Sequence, residues 1–387
     1  MGCAKPWLNT SLSHALFSEN EERAFLMSKK KYKVLDLFCG CGGISEGYSL
    51  AGFDIVGGID FNEYATITFK HNFKKAKVHN IDITTFSDDR IEEEYGDVDV
   101  IVGGPPCQGF SSANRWQKEK DDPRNKLFFE YIRFVQKIHP KVIMIENVRG
   151  LLTRDNGYAI NRIKEILGAA EYNIAYQILD ASEYGVPQNR KRAIIVGIRK
   201  DYKDEFFDFN KINKQDKTTV EDAIGELYCF EKSKAGKKKL ETPADSPYRK
   251  YLRTKSNSIL DQDIVYPAQI VQERIKYVPQ GGNWKDVPIE LWPNNRQNRH
   301  SSAYKRLDPH TQSCTIDTGN AHSNYFHPLF NRIPTIRESA RLQSFPDDFE
   351  FQGPRGSKYR QIGNAVPPLL AKAIADAIMK ILNDENN

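Results

Sequence analysis

Long apolar runs are absent from this 387-residue chain. No run approaches the roughly 20 residues that a helix needs to cross a bilayer, so we expect no membrane-spanning segment. The first residues lack the apolar core of a secretory signal peptide, and Pro6 stands where a myristoylation signal has Ser or Thr. These absences argue against a secreted or membrane-anchored protein, and we expect a cytoplasmic one.

Cysteine is also scarce, and its six residues are scattered at positions 3, 39, 41, 107, 229 and 314. Cys39 and Cys41 lie close together, but no second close pair completes a zinc site. The sequence therefore indicates no disulfide framework and no metal, and a reducing intracellular compartment is the simplest interpretation. The excess of positive charge is small: a net charge of +5 with a pI near 8.6 permits a nucleic-acid partner without requiring one.

Strand-like and helix-like segments alternate from about residue 32 to residue 200. Such an alternation predicts βαβ units, a mostly parallel sheet and an α/β fold. The predicted strands are 34–38, 55–59, 98–102, 142–145 and 193–198, and the predicted helices between them include 44–50, 63–72 and 127–138.

The alternation of strand-like and helix-like segments ends near residue 200, and the sequence that follows is irregular and polar. We predict an N-terminal arm of unknown role over 1–30 and a catalytic and cofactor-binding domain over 31–200. A smaller irregular domain is expected over 201–356, and residues 357–387 are expected to return to the first domain through an amphipathic helix at 369–381. Runs of basic residues at 232–239 and 249–255 are either solvated faces or phosphate-contacting surface.

A glycine-rich turn follows the first predicted strand, in Asp36-Leu-Phe-Cys-Gly-Cys-Gly-Gly. Glycines let the backbone approach a ligand, and the helix that follows offers free N–H groups. Asp60 ends the next strand at the distance where an acid binds ribose hydroxyls in Rossmann-like sheets, and Asp82 is placed to accept from an adenine amine. The pattern indicates an adenosine-bearing cofactor but does not separate a dinucleotide from S-adenosylmethionine.

A thiol and an acid stand at the ends of later strands, and two arginines directly precede the last predicted strand. Cys107 comes directly after Pro105 and Pro106, which must end the strand before it, so it is either a nucleophile on a stiff loop or a buried free cysteine. Glu146 ends another buried strand, and alternation would place Arg190 and Arg192 on one face of the last strand. Taken singly, the acid and each arginine can be explained by a salt bridge at the rim of the sheet. Together with the thiol, they suit the addition of a thiolate to an electron-poor ring.

Six short motifs in order resemble the cytosine-C5 DNA methyltransferase family. The resemblance covers about residues 32–200 and 335–380, and its motifs are 36–43, 103–108, 146–148, 188–192, 337–346 and 361–367. It implies a Rossmann-like sheet dependent on S-adenosylmethionine, with a smaller irregular target-recognition domain. Cys107 would attack C6 of a flipped cytosine, Glu146 would protonate N3, Arg192 would bind the O2 side, and Arg190 would support the catalytic loop and the intermediate.

The resemblance also implies the cofactor and the partners. No metal is expected. The implied partner is double-stranded DNA, on which the mobile loop 108–115 would close. We also expect a monomeric, prokaryotic, nucleoid-associated enzyme that is paired genetically with a restriction endonuclease. The residues expected to line the S-adenosylmethionine site are Phe38, Gly40, Gly42, Gly43, Asp60, Phe61, Asp82, Ile83, Pro106, Leu127, Asn364 and Val366.

Three alternatives compete with this interpretation. A divergent branch of the family methylates transfer RNA and carries Cys-Phe-Thr in its recognition region, where this chain has Cys229-Phe-Glu. A non-catalytic DNA-binding regulator would not need the Cys107, Glu146 and Arg192 set. An NAD-dependent oxidoreductase would require the match of six motifs to be coincidental.

Overall fold

Runs of Val, Ile and Leu form the centre of a seven-stranded sheet in the unit Lys33–Asn387. The computed structural model describes residues 31–106, 125–233, 236–254, 257–293, 303–318 and 324–384, without the side chains of 154 and 155. The predicted arm 1–30, Cys107 and the loop 108–115 lie outside the described residues. The strands are β1 Lys33–Leu37, β2 Asp54–Asp60, β3 Lys77–Asn80, β4 Val100–Gly103, β5 Val142–Val148, β6 Tyr172–Asp180 and β7 Lys191–Arg199.

The order β3-β2-β1-β4-β5-β7-β6 confirms the predicted α/β fold. The pairs from β3 to β5 are parallel, and β7 runs antiparallel to both β5 and β6. The five predicted strands lie within three residues of the observed bounds. The sequence did not reveal the two edge strands, β3 and β6. β3 has only one apolar residue, and β6 carries Asn173 and Gln177 and is half exposed along much of its length.

Helices cover both faces of the sheet and fill the connections. No helix among the described residues is long and apolar enough to cross a membrane. The α-helices are α1 Gly43–Leu50, α2 Glu63–Asn72, α3 Asp88–Tyr95, α4 Lys126–Ile138, α5 Gly150–Thr153, α6 Tyr158–Ala169, α7 Val220–Ile224, α8 Pro247–Leu252, α9 Gln269–Ile275, α10 Ile336–Leu342, α11 Arg355–Asn364 and α12 Pro368–Asn383. The 3₁₀ helices are Ile83–Thr85, Arg154–Gly157, Ala181–Tyr184, Phe209–Lys211, Gly225–Phe230, Trp284–Asp286 and Ile289–Leu291.

The final helix, α12, packs directly on α1, which follows the glycine-rich turn. Gly47 makes this close approach possible, since a Cβ there would lie 2.5 Å from both the Cβ of Ala371 and the carbonyl oxygen of Pro368. The amphipathic helix α12 therefore lies against the helix that follows β1. Its predicted bounds, 369–381, extend by one or two residues at each end.

Between residues 200 and 335 the chain forms only short elements. Two-residue strands pair as β8 Lys238–Lys239 with β9 Ser258–Ile259, and as β10 Lys305–Arg306 with β11 Tyr325–Phe326. The division of the chain at residues 200 and 356 into domains stays a prediction.

Buried ion pairs organise the segment that follows this irregular region. Helix α10 contains Arg341, which binds Asp347 through both oxygens and also Glu226, at 2.6 to 2.8 Å. Arg337 donates to the carbonyl oxygens of Pro346 and Phe349. Because a buried charge must be paired or hydrogen-bonded, the basic residues of this motif bind acids and backbone carbonyls and so hold the backbone in place.

The second basic run, 249–255, is not simply a charged face. Arg249 donates to Asp245 and to the carbonyl oxygens of Glu221 and Asp222. Arg253 is buried and binds Glu226 at 2.9 Å. These two guanidiniums therefore bind partners within the protein. They are neither part of a solvated face nor free to contact phosphates.

Candidate active site

The predicted site residues gather at the carboxyl ends of β1, β2, β4 and β5. These parallel strands end at the same edge of the sheet, which is where open α/β sheets bind their ligands. β1 leads into the glycine-rich turn, β2 ends at Asp60, and β4 ends at Gly103, just before Pro105 and Pro106. At this edge the glycine-rich turn and Asp60 lie at the ends of β1 and β2. The two prolines and Glu146 lie at the ends of β4 and β5.

The turn after β1 needs glycine for conformation and for space. Gly42 has φ of 98°, in the left-handed region, and a Cβ there would lie 2.5 Å from the ring of Phe73. A Cβ on Gly43 would lie 2.4 Å from the carbonyl oxygen of Val366. Val366 is a predicted cofactor-lining residue, so the structure brings it against the glycine turn from the far end of the chain.

The carboxylate of Asp60 ties this turn to the end of β2. One oxygen accepts from the backbone N–H of Gly40 at 2.9 Å and the other from Asn62 at 2.8 Å. Burial raises the pKa of Asp60, and these N–H donors partly oppose the rise. Each carboxylate oxygen keeps a further lone pair, so Asp60 can still accept from a ligand hydroxyl.

The predicted adenine side combines exposed and buried residues. Asp82 is exposed and caps the short helix Ile83–Thr85 by accepting from the N–H of Thr84, which lowers the pKa of Asp82. Ile83 is buried and Leu127 is partly buried against the core. Phe61 is 76% exposed, which leaves a large aromatic face open beside Asp60.

The proline loop is fastened to β5. The side-chain amide of Asn147 donates to the carbonyl oxygen of Pro105 at 2.9 Å. A Cβ on Gly104 would lie 3.2 Å from Oε2 of Glu146, so the glutamate carboxyl lies against this loop. Pro106 is exposed at the end of the described stretch, one residue before Cys107. The sequence motif contained Asn147, but only the structure shows its role.

Glu146 and Arg192 form an ion pair across β5 and β7. Nε of Arg192 lies 2.8 Å from Oε1 of Glu146, and the two side chains are 16% and 15% exposed. Burial raises the pKa of Glu146, and the charges of Arg192 and Arg190 partly offset that rise. A carboxyl in this setting stays protonated to a higher pH than an exposed one.

Arg190 lies just before β7, so strand alternation does not govern its direction. Its side chain is 2% exposed and donates to the carbonyl oxygens of Ile316 and Gly363, each at 2.9 Å. Burial, and then the nearby charge of Arg192, lowers the pKa of Arg190 to about 9. Arg190 interacts electrostatically with Glu146. Its hydrogen-bond partners, however, differ from those of Arg192.

The family follows from comparison with known proteins. A profile described as C-5 cytosine-specific DNA methylase matches residues 32–380. The chain belongs to this family.

Curated relatives are similar over most of their length. The Type II methyltransferase M.DdeI of Desulfomicrobium norvegicum is 35% identical, with 91% of this chain and 91% of that protein covered. The Type II methyltransferase M1.HphI of Haemophilus parahaemolyticus is 36% identical, with 91% and 87% covered. These matches and the family identify the chain as a DNA (cytosine-5) methyltransferase.

Solved structures support the fold of this methyltransferase. A crystal structure described as a prophage-encoded DNA modification methyltransferase (E. coli) matches with a TM-score of 0.74 at 27% identity, covering 91% of this chain and all of that one. The Dnmt2 methyltransferase of S. pombe matches with a TM-score of 0.55 at 19% identity, covering 92% of this chain and all of that one, and shows the fold alone.

Two cavities lie outside this site. One of about 460 Å³ is lined by α2 and β3 residues with Gln352, and another of about 610 Å³ lies between α12, Tyr184, Tyr248 and the segment 211–218. Neither lining includes a predicted catalytic or cofactor residue of the methyltransferase.

The structure reveals a buried acid, Asp36, in the strand that leads into the glycine turn. Asp36, in β1, accepts from the hydroxyl of Ser45 in α1 at 2.7 Å, and its other oxygen is buried with no hydrogen-bond partner among the described residues. Burial raises the pKa of Asp36 from its ordinary 3.8 to about 7. The motif does place a serine nine residues after the aspartate, but sequence alone gives no sign that they meet.

We expect the Asp36→Asn variant to flatten the pH dependence of stability. The folded protein holds more protons than the unfolded chain between pH 3.8 and about 7, so the stability that protonated Asp36 contributes is full below that range and is lost as pH rises through it. The slope is at most about 1.4 kcal/mol per pH unit. Urea unfolding at several pH values measures the slope of the unfolding free energy against pH. The control is Asp89→Asn, at an exposed position, which we expect to keep the wild-type slope. An unchanged slope in Asp36→Asn would contradict the prediction.

Proposed function

We propose that this methyltransferase flips a cytosine out of duplex DNA and methylates it through a covalent adduct with Cys107. The observation that carries the proposal is the Glu146–Arg192 pair, joined at 2.8 Å beside the Pro105 backbone that leads to Cys107. An acid and a cation there can bind the polar edge of a base while a thiol reaches its ring. The target base must leave the stack because its C6 face is inaccessible within a duplex.

The proposed steps use the chain's own residues. Cys107, as a thiolate, forms a bond to C6, and Glu146 delivers its proton to N3, so that the electron pair of the C5–C6 double bond becomes available at C5. Arg192 holds the O2 side. After methyl transfer to C5, a base removes the C5 proton, the thiolate leaves C6, and N3 returns its proton. The raised pKa of Glu146 supports its role as a proton donor.

S-adenosylmethionine, when bound, would supply the electrophilic methyl group from its sulfonium sulfur, and S-adenosylhomocysteine would be the leaving group. The close approach at Gly43, the carboxylate of Asp60 and the exposed ring of Phe61 fit an adenosine-bearing ligand. We propose that Gly40, Gly42 and Gly43 face its methionine part, that Asp60 binds its ribose, that Phe38 stacks near its adenine, and that Asp82 binds the adenine amine. The remaining lining residues are proposed to be Phe61, Ile83, Pro106, Leu127, Asn364 and Val366.

The biological role proposed is protection of host DNA in a restriction–modification system. The support is the similarity to Type II methyltransferases, which covers about nine-tenths of this chain. A partner endonuclease and action as a monomer on double-stranded DNA belong to the same proposal.

Base-resolution methylation sequencing tests the proposal. The chain is expressed in a host that lacks its own cytosine methylation, and the host DNA is then sequenced. We expect methylated cytosines in one short recurring motif, which also identifies the recognised site. Unmodified DNA from a well-expressed, folded protein would contradict the proposed substrate, and transfer RNA would be assayed next.

A further inference from the structure

The contacts of Arg190 suit no direct role in the reaction proposed above. Its Nη1 donates to Ile316 and its Nη2 to Gly363, both at 2.9 Å. Ile316 lies in the segment that closes the irregular region, and Gly363 directly precedes Asn364 at the end of α11. One buried guanidinium therefore joins three segments that are far apart in sequence.

Two glutamines reinforce the same junction. Oε1 of Gln188 accepts from the N–H of Ile316 at 2.8 Å, and its Nε2 donates to Gln343 at 2.8 Å. Gln343 in turn donates to the carbonyl oxygen of Ile362 at 2.7 Å. Packing is tight as well, because a Cβ on Gly363 would lie 2.4 Å from the backbone carbon of Asp317. The backbone before Asn364 is thus fixed relative to Arg190.

We infer that Arg190 is a positioning residue for the cofactor-binding segment 363–366 and does not contact the target cytosine. The inference rests on the proposed function, which assigns Asn364 and Val366 to the cofactor. Both terminal nitrogens of Arg190 are engaged with backbone carbonyls, and its Nε is buried without a hydrogen-bond partner among the described residues. Arg192, by contrast, directs its Nε to Glu146.

The shape of the guanidinium explains why arginine is needed. Its planar fork donates in two fixed directions, toward Ile316 and toward Gly363, whereas a lysine ammonium is a compact point charge. A lysine at position 190 would keep the charge and loosen one or both segments. Since the carbonyl of Val366 packs against Gly43, loosening Gly363 changes the wall of the glycine turn.

Calorimetric titration with S-adenosylhomocysteine, without DNA, tests the inference. We expect Arg190→Lys to weaken binding about tenfold, which corresponds to about 1.4 kcal/mol. Arg192→Lys should bind as the wild type does, since Arg192 faces Glu146. Arg306→Lys is the matched control: Arg306 is also buried and donates to the carbonyl oxygens of Ile275, Val278 and His327, none of which is a predicted site residue.

The outcomes separate the inference from the proposed function. Wild-type affinity in Arg190→Lys, or equal weakening in Arg306→Lys, would overturn the positioning role. Absence of binding by the wild-type protein would contradict the proposed function itself, and the inference with it. If Arg190→Lys does not fold, Gln188→Asn replaces it with the same expectation, because its shorter side chain would weaken the bonds to Ile316 and to Gln343, which in turn donates to Ile362.

Discussion

Cys107→Ser is expected to lower the methylation rate at least about 1,000-fold while cofactor binding survives. A serine hydroxyl is a far weaker nucleophile than a thiolate, so the adduct at C6 would not form at a useful rate. The contacts described for the glycine turn and Asp60 are all made by residues other than Cys107. Transfer of radiolabelled methyl groups to DNA measures the rate, and titration with S-adenosylhomocysteine measures the binding.

Cys229→Ser is the matched control for this variant. The thiol of Cys229 is exposed and lies near the carbonyl oxygen of Glu226, at 3.2 Å, away from the candidate site. We expect its activity to equal that of the wild type. Normal turnover by Cys107→Ser would rule out the covalent route proposed for this methyltransferase.

Glu146→Gln is expected to lower kcat by about 10² to 10⁴, the usual contribution of general acid–base catalysis. Glutamine keeps the shape and can still accept from Arg192, but it has no proton to deliver to N3. In the wild type, the raised pKa of Glu146 keeps the proton donor present to a higher pH, and its contribution is lost as pH rises through that pKa. The variant should lose this alkaline fall in kcat.

The pH profile of kcat, measured for both proteins, distinguishes a proton donor from a merely structural carboxyl. Glu130→Gln is the control, since Glu130 pairs with Arg133 on α4, and we expect its profile to match the wild type. A Glu146→Gln variant with a wild-type rate, or with the same alkaline fall, would refute the acid role.

The sequence predicted the sheet because its central strands are continuous apolar runs, which only burial on both faces explains. Glu146 and Arg192 could be expected to meet, since each lies at the end of such a run. The contacts of Arg190 with Ile316 and Gly363 could not be predicted, because they are made to backbone carbonyl oxygens, which every residue carries. The same holds for the carboxyl of Asp36, whose burial depends on how α1 packs over β1.

The packing of Val366 and Ala371 on Gly43 and Gly47 affects when the protein becomes active during its synthesis. The ribosome makes the glycine turn near the start of the folded unit, but the wall that covers it comes from residues near the end. Domains can begin to fold while the chain is still growing, yet this one cannot complete the packing around its glycine turn until residue 371 has been translated. A prematurely terminated product that lacks α12 would therefore be unable to methylate, however well the rest of its sheet had formed.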